Sequence, residues 1–276
     1  MQKSLTLLFL AITLLSPVSL ADKKPNIVFS IAPLASIGAM LLKNEANISV
    51  IANNAGCPHH YAAKPSDLYK VQNADLIILI NENFDGFAAK LASAGNNNNI
   101  VRVGSIKNLK LLSSGRSNNW HLWLDLDNAL VLLEELAGIF KSRFPAFAAE
   151  IEVNLQVAKE RINDLKTLKK QKLQDLSKFI VMADSAEYFF HETNAIKLIE
   201  PHPPTLKYSA RVKKLIAEGG KSLVLSPEQN IDFWKKFPVT IICIESENWP
   251  ITDDTILENL FINRYEEMIG IVSSPR

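Results

Sequence analysis

Asp75-Leu76-Ile77-Ile78-Leu79-Ile80-Asn81 is an uninterrupted apolar pentad held between two polar residues. A strand with one face in water alternates apolar and polar side chains. One that is apolar throughout fits a parallel sheet covered on both faces by helices. Upstream, Ile27-Val28-Phe29-Ser30-Ile31 and Ile48 to Ala52 read as further strands, with helices through Leu41 and from Pro65 to Val71. Downstream, Ile100-Val101-Arg102-Val103 follows the turn residues Asn96 to Asn99. The alternation of strand and helix predicts a first α/β lobe.

After Asp125 to Asn128, which can cap a helix start, the period changes. Ala129 to Arg143 and about Ala146 to Ser177 read as helices, the second with Ile151, Leu155, Ala158, Ile162, Leu165 and Leu168 or Lys169 at helical intervals. That seam is not a sustained heptad, and strand signals resume after it, so a rigid strut is expected rather than a coiled coil. Phe179-Ile180-Val181-Met182, Ser222-Leu223-Val224-Leu225 and Val239 to Ile244 then read as strands, separated by helical stretches around Tyr208 to Glu218 and Ile231 to Phe237. The expected fold is α/β: two lobes with mostly parallel sheets joined by one long helix. The boundaries are a signal peptide at 1–21, a first lobe at 22–143, the linking helix at 144–177 and a second lobe at 178–276. Ligands of open α/β sheets bind beyond the carboxyl ends of the strands, so the expected site lies between the lobes.

The amino terminus reads as an export signal. Lys3 supplies a positive start, Leu5 to Leu15 an apolar run, and Ser19-Leu20-Ala21 a cleavage site. The apolar run is shorter than the about 20 residues that span a bilayer, and no Cys follows the cleavage site. A periplasmic protein with no membrane insertion after cleavage is expected. The 30 Lys and Arg against 29 Asp and Glu leave no basic excess for nucleic acid. Two cysteines, Cys57 and Cys243, make no disulfide scaffold, although an oxidising compartment allows one bridge.

The five histidines are His59, His60, His121, His191 and His202. Imidazole is the commonest protein ligand for metals such as zinc. His59 and His60 lie beside Cys57 in a loop after a strand, where binding residues concentrate. His121 stands between Trp120 and Trp123, just before a helix start. A core histidine bonded to a backbone carbonyl and a metal ligand both fit that setting. His191 and His202 read as surface residues. No Gly-x-Ser-x-Gly, His-Glu-x-x-His or Gly-rich phosphate loop is present, so no enzyme chemistry is indicated.

In order, Phe29-Ser30-Ile31-Ala32-Pro33-Leu34, His59-x-Tyr61-x-x-x-Pro65-Ser66-Asp67, Asn73-Ala74-Asp75-Leu76 and His121-Leu122-Trp123-Leu124-Asp125 resemble the periplasmic zinc and manganese solute-binding proteins of ABC importers. Tyr188-Phe189 and Ser226-Pro227-Glu228-Gln229 extend the resemblance into the second half. It implies a monomer that carries Zn²⁺, or next Mn²⁺, to a membrane permease, the ion being held between the lobes by three His and a carboxylate or by two of each. His59 and His121 match the first two ligands. The third position is Ala183, which has no donor atom, and the fourth falls in Ile244-Glu245-Ser246-Glu247, with Glu245 the expected carboxylate and Glu247 the alternative. The expected metal residues are therefore His59, His121 and Glu245. Three outcomes remain open: a retuned site drawing in Asp184, His60 or water; a role for Cys57 and Cys243 as ligands or a disulfide; or a scaffold that has lost its metal and serves as an interaction or adhesin-like protein.

Overall fold

The structure is a computed structural model that describes residues 23–53, 61–114, 117–201 and 205–275. His59, His60, His202, Cys57 and the expected signal peptide lie outside the described residues.

The first lobe is built on strands β1 (Asn26–Ile31), β2 (Asn47–Ala52), β3 (Leu76–Leu79) and β4 (Ile100–Arg102), all parallel in the order β2-β1-β3-β4. Helices α1 (Ala32–Leu42), α2 (Pro65–Gln72) and α3 (Glu82–Ala94) connect them. The Leu76 to Ile80 pentad is 0% exposed throughout, as an all-apolar central strand requires. α1 lies so close to β1 that a Cβ at Gly38 would stand 2.2 Å from Cζ of Phe29, so only glycine fits there. A short antiparallel pair, β5 (Ser113–Ser114) and β6 (Ser117–Asn118), precedes α4 (Leu126–Arg143). Asp125 caps α4, its carboxylate accepting the N–H groups of Asp127 at 2.7 Å and Asn128 at 3.2 Å.

The linking helix is α5 (Ala148–Lys172), 25 residues or about 37 Å long. Its buried stripe is Ile151, Leu155, Ala158, Ile162, Leu165 and Lys169. The second lobe follows with β7 (Phe179–Val181), α6 (Glu187–Phe190), β8 (Ile196–Lys197), α7 (Leu206–Ala217), β9 (Ser222–Leu225), α8 (Ile231–Trp234) and β10 (Thr240–Cys243). Its parallel sheet runs β10-β9-β7-β8. Read from the opposite edge, this is the strand order of the first lobe, so the halves share a plan without sharing a sequence.

The last helix, α9 (Leu257–Ser273), does not stay with the second sheet. It packs against α1 and α5. Leu260, Phe261, Tyr265, Met268 and Ile269 join one apolar core with Ile37, Leu133, Ile162, Phe189 and Val224, which therefore runs through both lobes. Lys169 of α5 is buried in that core, its ammonium 4.9 Å from the centroid of the Phe189 ring and 3.3 Å from the Tyr265 hydroxyl. No helix among the described residues is long and apolar enough to cross a membrane.

Asp85 ties the end of β3 to α3. Its carboxylate accepts the backbone N–H groups of Ile80 at 2.7 Å and Asn81 at 2.9 Å while being 0% exposed. Burial pushes this carboxyl up from 3.8 to about 6, against the lowering effect of those hydrogen bonds. A folded-state acid raised in this way costs stability once it ionises, so stability falls as pH rises from about 4 to about 6. Chemical denaturation from about pH 3 to about pH 7 should show the advantage of wild type over Asp85→Asn shrinking by about 3 kcal/mol. Parallel pH profiles for the two proteins would refute this assignment.

Candidate functional site

Segments that follow β2 and β4 in the first lobe meet segments that follow β7 and β10 in the second across the seam between the lobes. The seam is stitched by hydrogen bonds to backbone. Asn53, after β2, donates to the carbonyl of Ile251 at 3.2 Å and accepts the N–H of Ile251 at 3.1 Å. The Trp123 indole donates to the Ser246 carbonyl at 3.2 Å. The Tyr188 hydroxyl donates to the Asn119 carbonyl at 2.9 Å and accepts the Leu112 N–H at 2.8 Å. Each connects a first-lobe segment to a second-lobe one.

His121 lies in the middle of this seam, 5% exposed. It precedes the tight turn 122–124. Phe84 meets the imidazole edge-on at 5.3 Å between ring centroids, and Trp123 flanks it at 5.4 Å. The Asn119 side-chain oxygen accepts the backbone N–H of His121 at 3.1 Å, which settles that this atom is the oxygen of the amide. The same oxygen lies 2.8 Å from Nδ1 of His121, so Nδ1 carries a hydrogen. Nε2 is thereby turned toward the second lobe, where it meets Oε1 of Glu247 in a short contact.

Asn119 also reaches across the seam. Its amide nitrogen donates to the Asp184 carbonyl at 2.8 Å and to Oε2 of Glu187 at 3.0 Å. Asn119, which holds His121, is thus itself gripped by the segment that follows β7, where Ala183 stands 1% exposed. Asp184 turns its own carboxylate back to the Ser185 N–H at 2.8 Å.

Glu245 and Glu247 have different tasks. The Glu245 side chain is exposed and accepts the backbone N–H groups of Glu247 at 3.0 Å and Asn248 at 2.9 Å. It builds the turn, and the turn presents Glu247 to His121. The resemblance put the carboxylate first at Glu245, but β10 ends at Cys243 and the turn that follows uses Glu245 to bring Glu247 to His121. Cys243 itself is exposed on this edge strand, and partial burial, followed by the Glu245 charge, pushes its thiol up.

His191 is not a surface residue. Its side chain is 10% exposed, with Nδ1 donating to the Tyr188 carbonyl at 2.9 Å and Nε2 accepting from the Lys110 ammonium at 2.8 Å. Asp125 Oδ2 lies 3.3 Å from the same nitrogen. This links the lobes on a second line, apart from His121. Among the described residues, no group of three or more His, Cys, Asp or Glu side chains is placed to hold a metal ion. The seam therefore offers, among those residues, one imidazole nitrogen and one carboxylate aimed at each other.

The family described as zinc-uptake complex component A, periplasmic, matches residues 27–231 of this chain. A Rickettsia prowazekii protein, described as uncharacterized protein RP014, is 42% identical over 254 residues, covering 90% of this chain and 83% of that protein. The high-affinity zinc uptake system protein ZnuA of Brucella abortus is 24% identical over 282 residues, covering 82% and 84%. Among solved structures, the periplasmic zinc-binding protein TroA of Treponema pallidum superposes with a TM-score of 0.76 at 17% identity, covering 91% of this chain and 98% of that one. A crystal structure of ZnuA gives the same TM-score, identity and coverage.

Because Asn119 satisfies both faces of the seam, Asn119→Ala should destabilise the protein by about 2–3 kcal/mol, a loss of roughly 5–10 °C in melting temperature. Asn119→Asp keeps the acceptor but faces Glu187 with a second carboxylate, and should recover less than half of that loss. Calorimetric melting distinguishes this from an unchanged stability, which would show that the bridge contributes nothing.

Proposed function

We propose that this chain, which belongs to the family of periplasmic zinc-uptake components, captures a divalent transition metal in the seam between its lobes and delivers it to the membrane permease of an ABC importer. It is a binding protein and not an enzyme. The export signal read in the sequence supports a periplasmic location, and Zn²⁺ is the first candidate cargo with Mn²⁺ the next. The observation that carries this reading is the meeting of His121 Nε2 and Glu247 across the seam. A borderline metal takes an imidazole nitrogen and a carboxylate oxygen in place of the proton that joins them.

In this reading His59, from the sequence resemblance, and His121 supply nitrogen, and Glu247 takes the carboxylate role for which Glu245 was the first expectation. Asn119 holds the His121 tautomer that directs Nε2 toward the second lobe, as outer partners of metal-bound histidines do. Ligands drawn from both lobes couple affinity to the geometry of the seam. The missing donor at Ala183 supports a site with fewer protein ligands than a structural zinc centre, completed by water or a neighbouring side chain. A second reading rests on the same contact. If the His121 and Glu247 pair is itself the end state, the seam is a proton-bridged latch, and the chain is a metal-free relative acting through its surface.

Calorimetric titration of the metal-free reduced protein with Zn²⁺ and then Mn²⁺ separates the two. The metal reading predicts one equivalent bound, an affinity at least about 100-fold weaker in His121→Ala and in Glu247→Gln, and weakening between neutral pH and about pH 5 as imidazole protonates. No heat with either metal would support the latch instead, and affinity unchanged in both variants would remove the ion from this pair.

A further inference from the structure

The Asn119 amide is held at both of its ends. Its oxygen accepts the backbone N–H of His121 at 3.1 Å and lies 2.8 Å from Nδ1, while its nitrogen donates to the Asp184 carbonyl at 2.8 Å and to Oε2 of Glu187 at 3.0 Å. The two bonds from the nitrogen are not alike. One goes to a neutral backbone carbonyl, which the turn after β7 presents whatever side chain stands there. The other goes to a carboxylate, which only an acidic residue at position 187 supplies. Imidazole, amide and carboxylate therefore form a chain of hydrogen bonds that runs in one direction, from Nδ1–H of His121 to the negative charge of Glu187.

Local structure fixes that charge in place. Glu187 opens α6, and its own N–H donates to the Asp184 carbonyl at 3.0 Å, so that carbonyl is shared with the Asn119 nitrogen. The next residue, Tyr188, grips the same first-lobe segment through the Asn119 carbonyl and the Leu112 N–H. Glu187 is half-buried, which limits screening of its charge by water. Among the described residues no Lys, Arg or His lies within ion-pair distance of it. The hydrogen bond to Asn119 is thus the described contact through which its charge acts on the seam.

The consequence for His121 follows from hydrogen-bond physics. A neutral amide oxygen is a weaker acceptor than a carboxylate. An anion bound at the N–H of the same amide polarises it and makes its oxygen more negative, because hydrogen bonds in a chain strengthen one another. A stronger acceptor for Nδ1–H makes the opposite ring nitrogen a better metal ligand. The charge also fixes the orientation of the amide. Turned end for end, Asn119 would set its oxygen against both the Asp184 carbonyl and the Glu187 carboxylate. Glu187 works at the Nδ1 end of the ring, whereas Nε2 meets Glu247 at the other.

We infer that Glu187 is a positioning residue for the metal-binding imidazole: acting through Asn119, it orients His121 and strengthens Nε2 as a ligand for a divalent cation. The inference rests on the reading that the cation binds at Nε2. Glu247 and Glu187 then bring two negative charges to a dication, one in contact and one through the amide. The second offsets part of what the absence of a donor at Ala183 removes.

Two readouts test it on the full exported chain, metal-free and reduced at the outset. In proton–nitrogen NMR spectra, loss of a signal in His121→Ala identifies the Nδ1–H of His121. Glu187→Gln keeps the shape and an acceptor oxygen but removes the charge, and it should move that signal upfield as the hydrogen bond weakens. The same variant should melt as wild type does and bind Zn²⁺ about 10-fold more weakly in competition calorimetry. Glu192→Gln removes a carboxylate just past α6, 3.7 Å from His191, and should change neither readout. An unmoved Nδ1–H signal in Glu187→Gln overturns the inference, as does a moved signal with unchanged affinity, or equal effects in Glu192→Gln. Absence of Zn²⁺ binding in wild type refutes the metal reading instead, and the orienting role of Glu187 then stands or falls on the Nδ1–H signal, which is read without metal.

Discussion

The packing of α9 across α1 and α5 is the constraint on which the rest of the structure depends. A chain of two similar α/β halves could form two separate bodies on a hinge. Here the last helix returns from the second sheet to bury Phe261, Tyr265 and Met268 against the first lobe. Each such side chain contributes about 1.5–3 kcal/mol when fully buried, so the crossing is strongly held. The rigid α5 keeps the halves a set distance apart, and α9 closes them. The segments that follow the strands of both sheets then meet at the seam, where only a few side chains stand between them.

What occupies it is polar and almost fully satisfied. Asn119 is the pivot, since its one amide group orients His121 with the oxygen and grips the Asp184 to Glu187 segment with the nitrogen. His121 and Glu247 are therefore placed by second-lobe and first-lobe partners together. A ligand that separates them must move the lobes or be small enough to fit between the two atoms. A single ion meets that condition and a molecular solute does not. The same rigidity explains how a site lacking a donor at position 183 keeps its shape, because the backbone after β7 is held by Asn119 whether or not Ala183 contributes.

The strands and the linking helix were legible because their burial imposes a period. The all-apolar pentad of β3 and the helical stripe from Ile151 to Leu165 state their surroundings directly. His121 was legible from its motif, and Asp125 from its capping position. Other features carry no such signal. Strands β5, β6 and β8 have two residues each, too few to show alternation. α9 is amphipathic like any surface helix, and nothing in its own residues says that it covers the other lobe. The choice between Glu245 and Glu247 depended on where β10 ends and how the next turn runs, a difference of two residues that periodicity cannot resolve. The helical interval left Leu168 or Lys169 open, and it is Lys169 that is buried, against Phe189 and Tyr265; His191 looks like a surface residue in the sequence, yet it is held by the Tyr188 carbonyl and Lys110. Asn119 lies two residues before His121, and its role was missed because its partners are more than 60 positions away.

The central claim is that a metal ion bridges the lobes through His121 and Glu247, and X-ray absorption at the zinc edge tests it most directly. Spectra of the zinc-loaded protein should show a shell of nitrogen and oxygen at about 2.0–2.1 Å with imidazole scattering beyond it, and Glu247→Gln should lose an oxygen from that shell. A sulfur shell at about 2.3 Å would contradict the account by moving the ion to the cysteines, and an unaltered shell in Glu247→Gln would remove the second lobe's carboxylate from the site.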